Sequence, residues 1–168
     1  MSGPAGAGKT TLAHAVAEAI CCPAVCRDEI KEGIVHALRG EYEAGPGDLV
    51  TERATSVFFE SLRLLLEAGV TSVGEAAFQD PLWRANLEPL TDVARVRIIR
   101  CWVDPSTGRR RMTGRSQRQA HVDASVIADA SYYDEFEPIA LPVPTIDVDT
   151  SDGYEPSFDR IISFIEDR

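Results

Sequence analysis

Residues 3–10 read Gly3-Pro4-Ala5-Gly6-Ala7-Gly8-Lys9-Thr10 and match the pattern G-x-x-x-x-G-K-[ST]. In that pattern successive backbone N–H groups and a helix N-terminus surround a phosphate, and the lysine neutralises its charge. Gly3, Pro4, Ala5, Gly6, Ala7 and Gly8 therefore form the expected cradle, with glycine wherever the backbone must approach closely. Lys9 is expected on the outer phosphates, Thr10 is expected to ligate magnesium, and Thr11 completes the binding set. Leu12, Val16 and Ile20 then recur at i, i+4 and i+8, which predicts a helix with one apolar face over residues 9–20.

Outward from this loop the chain alternates between strand and helix patterns. A short strand is expected over 23–26, followed by a helix carrying Ile30, Ile34 and Leu38 until Gly40. Residues 40–48 (GEYEAGPGD) suit a mobile substrate-side loop. A long helix with Ala54, Val57, Phe58, Leu62 and Leu65 on one stripe ends at Gly69, and 70–78 reads as a buried strand. Asp80 and Pro81 predict an N-cap and first-turn proline for a helix toward Leu90, with a second buried strand over 95–103. Residues 109–130 have a helical pattern, and 145–149 predicts a last strand before a helix with Phe158, Ile161, Ile162 and Ile165. Such alternation implies an α/β fold, a parallel sheet with helices on both faces, in one domain spanning 1–168. A phosphate loop normally follows a buried strand, yet only Met1 and Ser2 precede Gly3. The first strand is missing, and the reading frame is expected to continue upstream for roughly five or six apolar residues.

Composition narrows the partners. A net charge of -10 and a pI near 4.7 argue against a nucleic-acid or anionic-membrane surface, leaving small molecules. No apolar run reaches the ~20 residues of a membrane span. A phosphate loop stands where a secretory signal would sit, so a cytoplasmic monomer or homodimer is expected. Cys21, Cys22, Cys26 and Cys101 have neither zinc spacing nor disulfide-scaffold density and read as small core residues. The three histidines form no ligand-like cluster in the sequence, so magnesium brought by the nucleotide is the expected metal.

Asp28 sits where the second strand ends, at the edge of the sheet expected to hold the phosphate loop. It is read either as the group that accepts a substrate hydroxyl proton or as the N-cap of the next helix. Glu75 falls near the end of an apolar strand, where a carboxylate is costly unless paired or linked to a metal, and is assigned to a magnesium-bound water. A solvated strand-end acid is the other reading. Arg111, Arg115 and Arg118 stand at i, i+4 and i+7, so a helix projects all three guanidinium groups along one side as a comb for phosphate oxygens. Residues 95–118 hold eight of the seventeen Lys and Arg residues, which favours a lid over residues 105–121 above an ordinary solvated charge run.

Together GPAGAGKTT, RDEIKEGI, GEAAF and DPSTGRRRMTGRSQR resemble the small P-loop kinases with an AAA-type ATP-binding domain. That group includes shikimate and gluconate kinases, chloramphenicol phosphotransferase, the zeta toxins and the kinase domain of polynucleotide kinase. The resemblance implies ATP and Mg2+ as cofactors, a 2-3-1-4-5 sheet order whose central first strand is absent here, and a helical lid. It also implies Asp28 as the acceptor-side group, Arg115 on the transferring phosphate, and Arg111 near the adenine or the lid hinge. Thr150 or Ser151 would border the base, and Lys31 stands where polynucleotide-kinase-like members carry a basic residue. The expected activity is transfer of the ATP γ-phosphoryl to an alcohol by Lys9, Asp28 and Arg115. Glu41 and Glu43 in the 40–48 loop hint at a neutral or cationic acceptor such as a sugar, aminocyclitol or antibiotic. Two alternatives stand beside it: an ATP-hydrolysing switch without acceptor, and a nucleotide or polynucleotide kinase.

Overall fold

The computed structural model describes residues 1–39, 42, 48–80, 82–114 and 131–167. In chain order the elements are α1 (Lys9–Ala19), β1 (Ala24–Cys26), α2 (Arg27–Ala37), α3 (Leu49–Glu67), β2 (Val73–Glu75), α4 (Arg84–Leu87), a 3-10 turn (Glu88–Asp92), β3 (Ile98–Trp102), α5 (Pro105–Thr113), β4 (Thr145–Asp149) and α6 (Phe158–Glu166). β1 pairs in parallel with β2, Cys26 opposite Glu75, and β3 pairs in parallel with β4, Cys101 opposite Val148. Every described ladder is parallel, as an alternating α/β chain requires.

The apolar positions divide between two faces. Leu12 and Val16 of α1 and Ile161 of α6 pack with Ile99, Cys101 and Val148. Phe58 and Leu62 of α3 pack with Phe78, Leu90 and Ile98. Adjacent residues Ile98 and Ile99 thus serve opposite cores, the period-2 signature of strands covered on both sides. Asp48 caps α3 by accepting from Thr51 N at 2.7 Å. At the other end, Gly69 (φ 74°) and Val70 donate to the carbonyls of Leu66 and Leu65, closing the helix in a Schellman turn.

Met1 and Ser2 link the two sheets. The Met1 ammonium donates to Gly74 O at 2.6 Å and Ala76 N donates to Met1 O at 3.3 Å. On the other side Ser2 N donates to Ile99 O at 2.9 Å and Cys101 N donates to Ser2 O at 2.7 Å. Beyond this two-residue link the edges of β2 and β3 part. A cavity of about 490 Å³, lined by Val16, Ile20, Leu66, Val73, Ile99 and Ile165 among others, opens there toward one face. A second of about 140 Å³ continues it toward Leu62, Ile98 and Ile139 on the other.

Several expected boundaries shift for identifiable reasons. The strand expected over 70–78 is confined to Val73–Glu75, because Val70 completes the α3 turn and β1 offers only three partners before α2 begins. The strand expected over 95–103 shortens to the five residues that β4 pairs. Asp80 is not an N-cap: its carboxylate accepts from Arg84 Nε at 2.9 Å, Trp83 precedes α4, and Pro89 directs the chain into a 3-10 turn. Asp104 caps α5 instead, accepting from Thr107 N at 2.9 Å. The rest of the expected helix over 109–130, and most of the 40–48 loop, lie outside the described residues.

Candidate functional site: a phosphate loop closed by a buried carboxylate

The loop that bears the phosphate signature is seated by two glycines. Gly3 (φ 144°) lies so close to β3 that a Cβ would stand 2.2 Å from Cys101 O, and at Gly6 (φ 77°) one would stand 2.5 Å from Gly108 O on α5. No side chain fits at either point, so loop, β3 and α5 meet backbone to backbone. Gly8, left-handed at φ 65°, turns the chain into α1 and aims the helix N-terminus at the space over the loop.

Lys9 and Thr10 converge on Glu75. Glu75 ends β2 only 2 % exposed, accepts from Thr10 Oγ1 at 3.0 Å, and has Oε1 4.0 Å from Lys9 Nζ. Lys9 Nζ also donates to Pro4 O at 2.9 Å, which folds the ammonium back over its own loop. A buried carboxylate is tolerated only with such partners, and the solvated-acid reading of Glu75 fails on its burial.

Arg111 ties α5 to the loop. Its guanidinium donates to Gly6 O at 3.3 Å, Thr150 O at 2.6 Å and Ser151 O at 3.4 Å. Thr150 is buried, with Oγ1 3.0 Å from Ala7 O and 3.1 Å from Trp102 O, so its single proton serves one carbonyl at a time. Ser151 Oγ accepts from Asp104 N at 2.8 Å. A cavity of about 720 Å³ opens beside this junction, lined by Gly8, Thr11, Arg110, Arg111, Thr150 and Tyr154 among others. Arg115 and Arg118 lie outside the described residues, so of the expected arginine comb the structure describes Arg111 alone.

Sequence reading missed the tyrosines. Tyr133 donates its hydroxyl to Ala5 O at 3.0 Å, while Ala5 N donates to Tyr132 Oη at 3.1 Å. Neither follows from a local pattern, because both lie about 127 positions from the loop they touch. Gln79 contributes its backbone to a bridge with Pro138.

On the acceptor side, Asp28 occupies the first turn of α2, two residues beyond the end of β1. The N-cap is Cys26, which makes no side-chain capping bond, so Asp28 is not the cap. Its carboxylate is 44 % exposed and accepts from Arg27 Nη1 at 2.9 Å. Lys31, in contrast, is 5 % exposed, with Nζ 3.4 Å from Asp48 Oδ2. Burial opposes ionisation of Asp48, yet the two bonds from Thr51 and the Lys31 charge hold its carboxyl below the ordinary range. Burial and the Asp48 charge push Tyr42 up to about 12.

Two of the four cysteines match the core reading: Cys26 and Cys101 are buried, Cys21 is exposed and Cys22 intermediate. Burial pushes the Cys101 thiol up to about 11 and raises Cys26 further, with Glu75 and Glu29 adding to the latter. The expectation that no histidine joins a ligand-like group is overturned: the donor atoms of His14, Cys26 and Glu29 lie within 4.8 Å of one another.

A profile described as an AAA domain matches residues 1–138. The fold is shared with a candidate kinase from Chloroflexus aurantiacus j-10-fl, at 21% identity and TM-score 0.78 over 95% of this chain and 90% of that one. A sugar kinase from Janibacter sp. HTCC2649 aligns at 19% identity and TM-score 0.68 over 98% and 91%. The APS kinase CysC of Mycobacterium tuberculosis, solved with AMPPNP and APS, aligns at 13% and TM-score 0.65 over 98% and 94%. No curated protein matches by sequence. Among the described residues no helix is long and apolar enough to cross a membrane.

Proposed function

The chain belongs to the AAA domain family, and on that premise we propose that it moves the γ-phosphoryl group of ATP to a hydroxyl of a small molecule. The observation that carries the proposal is the buried Glu75 carboxylate bonded to Thr10 and facing Lys9 at the mouth of the loop. A switch that only binds nucleotide or a kinase needs such a loop; the exposed Asp28 at the C-terminal end of β1 adds an acceptor-side carboxylate and favours the kinase. The gluconokinase of Sinorhizobium meliloti and the Janibacter sugar kinase share the fold, which favours a sugar-like acceptor among the sugar, aminocyclitol and antibiotic-like compounds expected from the sequence.

Thr10 and Glu75 present hard oxygens 3.0 Å apart, a pair that fits Mg2+ and would hold it, Thr10 by its hydroxyl and Glu75 by way of a bound water. When bound, magnesium offsets charge on the outer phosphates. Lys9 neutralises the β and γ oxygens, and the α1 N-terminus holds them in the cradle. The acceptor oxygen bonds to the γ-phosphorus as the bridging P–O bond to ADP breaks, and the hydroxyl proton passes late to Asp28. Arg115 is assigned to the transferring phosphate, and 1–168 acts as one domain. A polynucleotide acceptor is disfavoured: Lys31 is buried on Asp48 and the net charge is -10.

The test is a panel of alcohols incubated with ATP, with phosphorylated product read by mass and Lys9→Met as control. Product formation by the natural chain and its loss by at least ~10³ in the variant are expected. ADP release indifferent to every alcohol, or near-normal turnover in the variant, overturns the proposal.

A further inference from the structure

His14 on α1 lies 12 residues before Cys26 at the end of β1 and 15 before Glu29 in the first turn of α2, and it meets that pair only in the fold. His14 Nε2 lies 2.8 Å from Glu29 Oε1 and 3.8 Å from Cys26 Sγ. A tetrahedral zinc-class ion has bonds of ~2.0–2.3 Å to N, O and S, which sets its ligand atoms roughly 3.3–3.7 Å apart. The three atoms are thus within about 1 Å of a ligand arrangement, and rotation of the two exposed side chains suffices to complete it. An ordinary His–Glu surface pair explains the 2.8 Å contact but not the placing of an imidazole nitrogen over a buried thiol.

We propose that His14 Nε2, Cys26 Sγ and Glu29 Oε1 form a three-ligand site for a zinc-class divalent ion, with water in the fourth position. The site shares no ligand with Thr10 and Glu75, although Cys26 stands opposite Glu75 across the β1–β2 ladder, and it does not depend on the kinase reading. Imidazole plus thiolate selects zinc, cobalt(II) and similar ions over magnesium, which takes oxygen ligands. Binding exchanges one proton for one ion: the Cys26 S–H bond breaks, the thiolate bonds to the metal, and the proton leaves to solvent. Because a proton is released on binding, the exchange tightens with rising pH, and Glu75, paired with Cys26 across the ladder, adds negative charge that attracts a dication. Because Asp28 lies between Cys26 and Glu29, an occupied site pins the start of α2 to α1 and fixes the backbone that carries Asp28.

The experiment titrates Co2+ into the nucleotide-free 168-residue chain and reads thiolate-to-cobalt charge transfer and the visible bands of a tetrahedral ion, with Zn2+ as competitor. One equivalent is expected to produce both, and Zn2+ to erase them. Cys26→Ser removes the charge-transfer band. His14→Gln and Glu29→Gln, both surface changes that keep the fold, weaken binding by at least ~100-fold, the upper end of losing a mere outer partner of a ligand. Absence of a charge-transfer band in the natural chain overturns the proposal, as does a band that survives Cys26→Ser or affinity unmoved by His14→Gln.

Discussion

The slot between β2 and β3 makes the sharpest quantitative prediction. Apolar side chains line cavities of about 490 and 140 Å³ there, and the Met1 ammonium is buried at its end on Gly74 O. Preceding Met1 with five Val or Ile residues lets the added segment run between the two edges as a parallel strand. Burial of each such side chain contributes ~2 kcal/mol, and fixing its backbone and rotamer costs about the same, so these nearly cancel. What remains is the ladder to two neighbours, some eight hydrogen bonds at ~0.5 kcal/mol net each, or roughly 4 kcal/mol. For a chain of this size that raises Tm by ~10 °C.

The buried ammonium adds a pH signature. Desolvation lowers the Met1 amine from its ordinary 8.0, with Cys101 and Glu75 opposing. Unfolding in the window below 8.0 therefore takes up a proton, so stability is full above 8.0 and falls as pH drops toward the folded value. Any extension that moves the charge out of the sheet removes that slope. Five Ser or Asn residues should flatten the pH dependence without the ~10 °C gain, whereas the Val/Ile segment should do both. Differential scanning calorimetry of the three chains across pH decides it. Equal Tm for the polar and apolar extensions refutes the strand-slot reasoning.

Asp28→Asn should lower turnover by ~10²–10⁴ while nucleotide affinity, read by calorimetry, stays unchanged; wild-type turnover would leave the proton without an acceptor at this residue. Thr150→Val removes the one hydroxyl that lies between Ala7 O and Trp102 O, and urea denaturation should show a loss of ~1–2 kcal/mol together with weaker nucleotide binding. Asp48→Ala uncaps α3 and strands the buried Lys31, at a cost of ~3–5 kcal/mol. Because the folded Asp48 carboxyl lies below its ordinary 3.8, its contribution is present above that value and lost as pH falls, so the natural chain should converge on the variant in acid.

The candidate site was legible where its pattern is compressed into consecutive residues. GPAGAGKT names its own roles, because backbone N–H groups, lysine and hydroxyl must follow one another to surround a phosphate. Glu75 was readable for a different reason: a carboxylate in an apolar strand has to be compensated, and Thr10 and Lys9 compensate it. Strand lengths were over-read because apolar runs report burial, whereas a strand persists only as far as a partner pairs with it. Phe78 is buried in the core beyond the end of β2, but β1 supplies three residues and no more. The cap assignment of Asp28 failed by two positions, since α2 starts directly from β1 at Arg27.

The remaining site residues depend on closure of the sheet, which no local pattern encodes. Arg111 was expected as one tooth of a phosphate comb and, from the resemblance, near the adenine or the lid hinge; its bonds run to Gly6, Thr150 and Ser151, the last two being the residues expected beside the base. It therefore acts on the phosphate loop by fixing its backbone to the turn after β4, while Tyr133 fixes the same loop at Ala5. The loop is thus held from α5, from the β4 turn and from residues 132–133, in addition to its own helix. Those anchors reach the loop across the chain, beside the backbone bonds that Met1 and Ser2 make to β2 and β3.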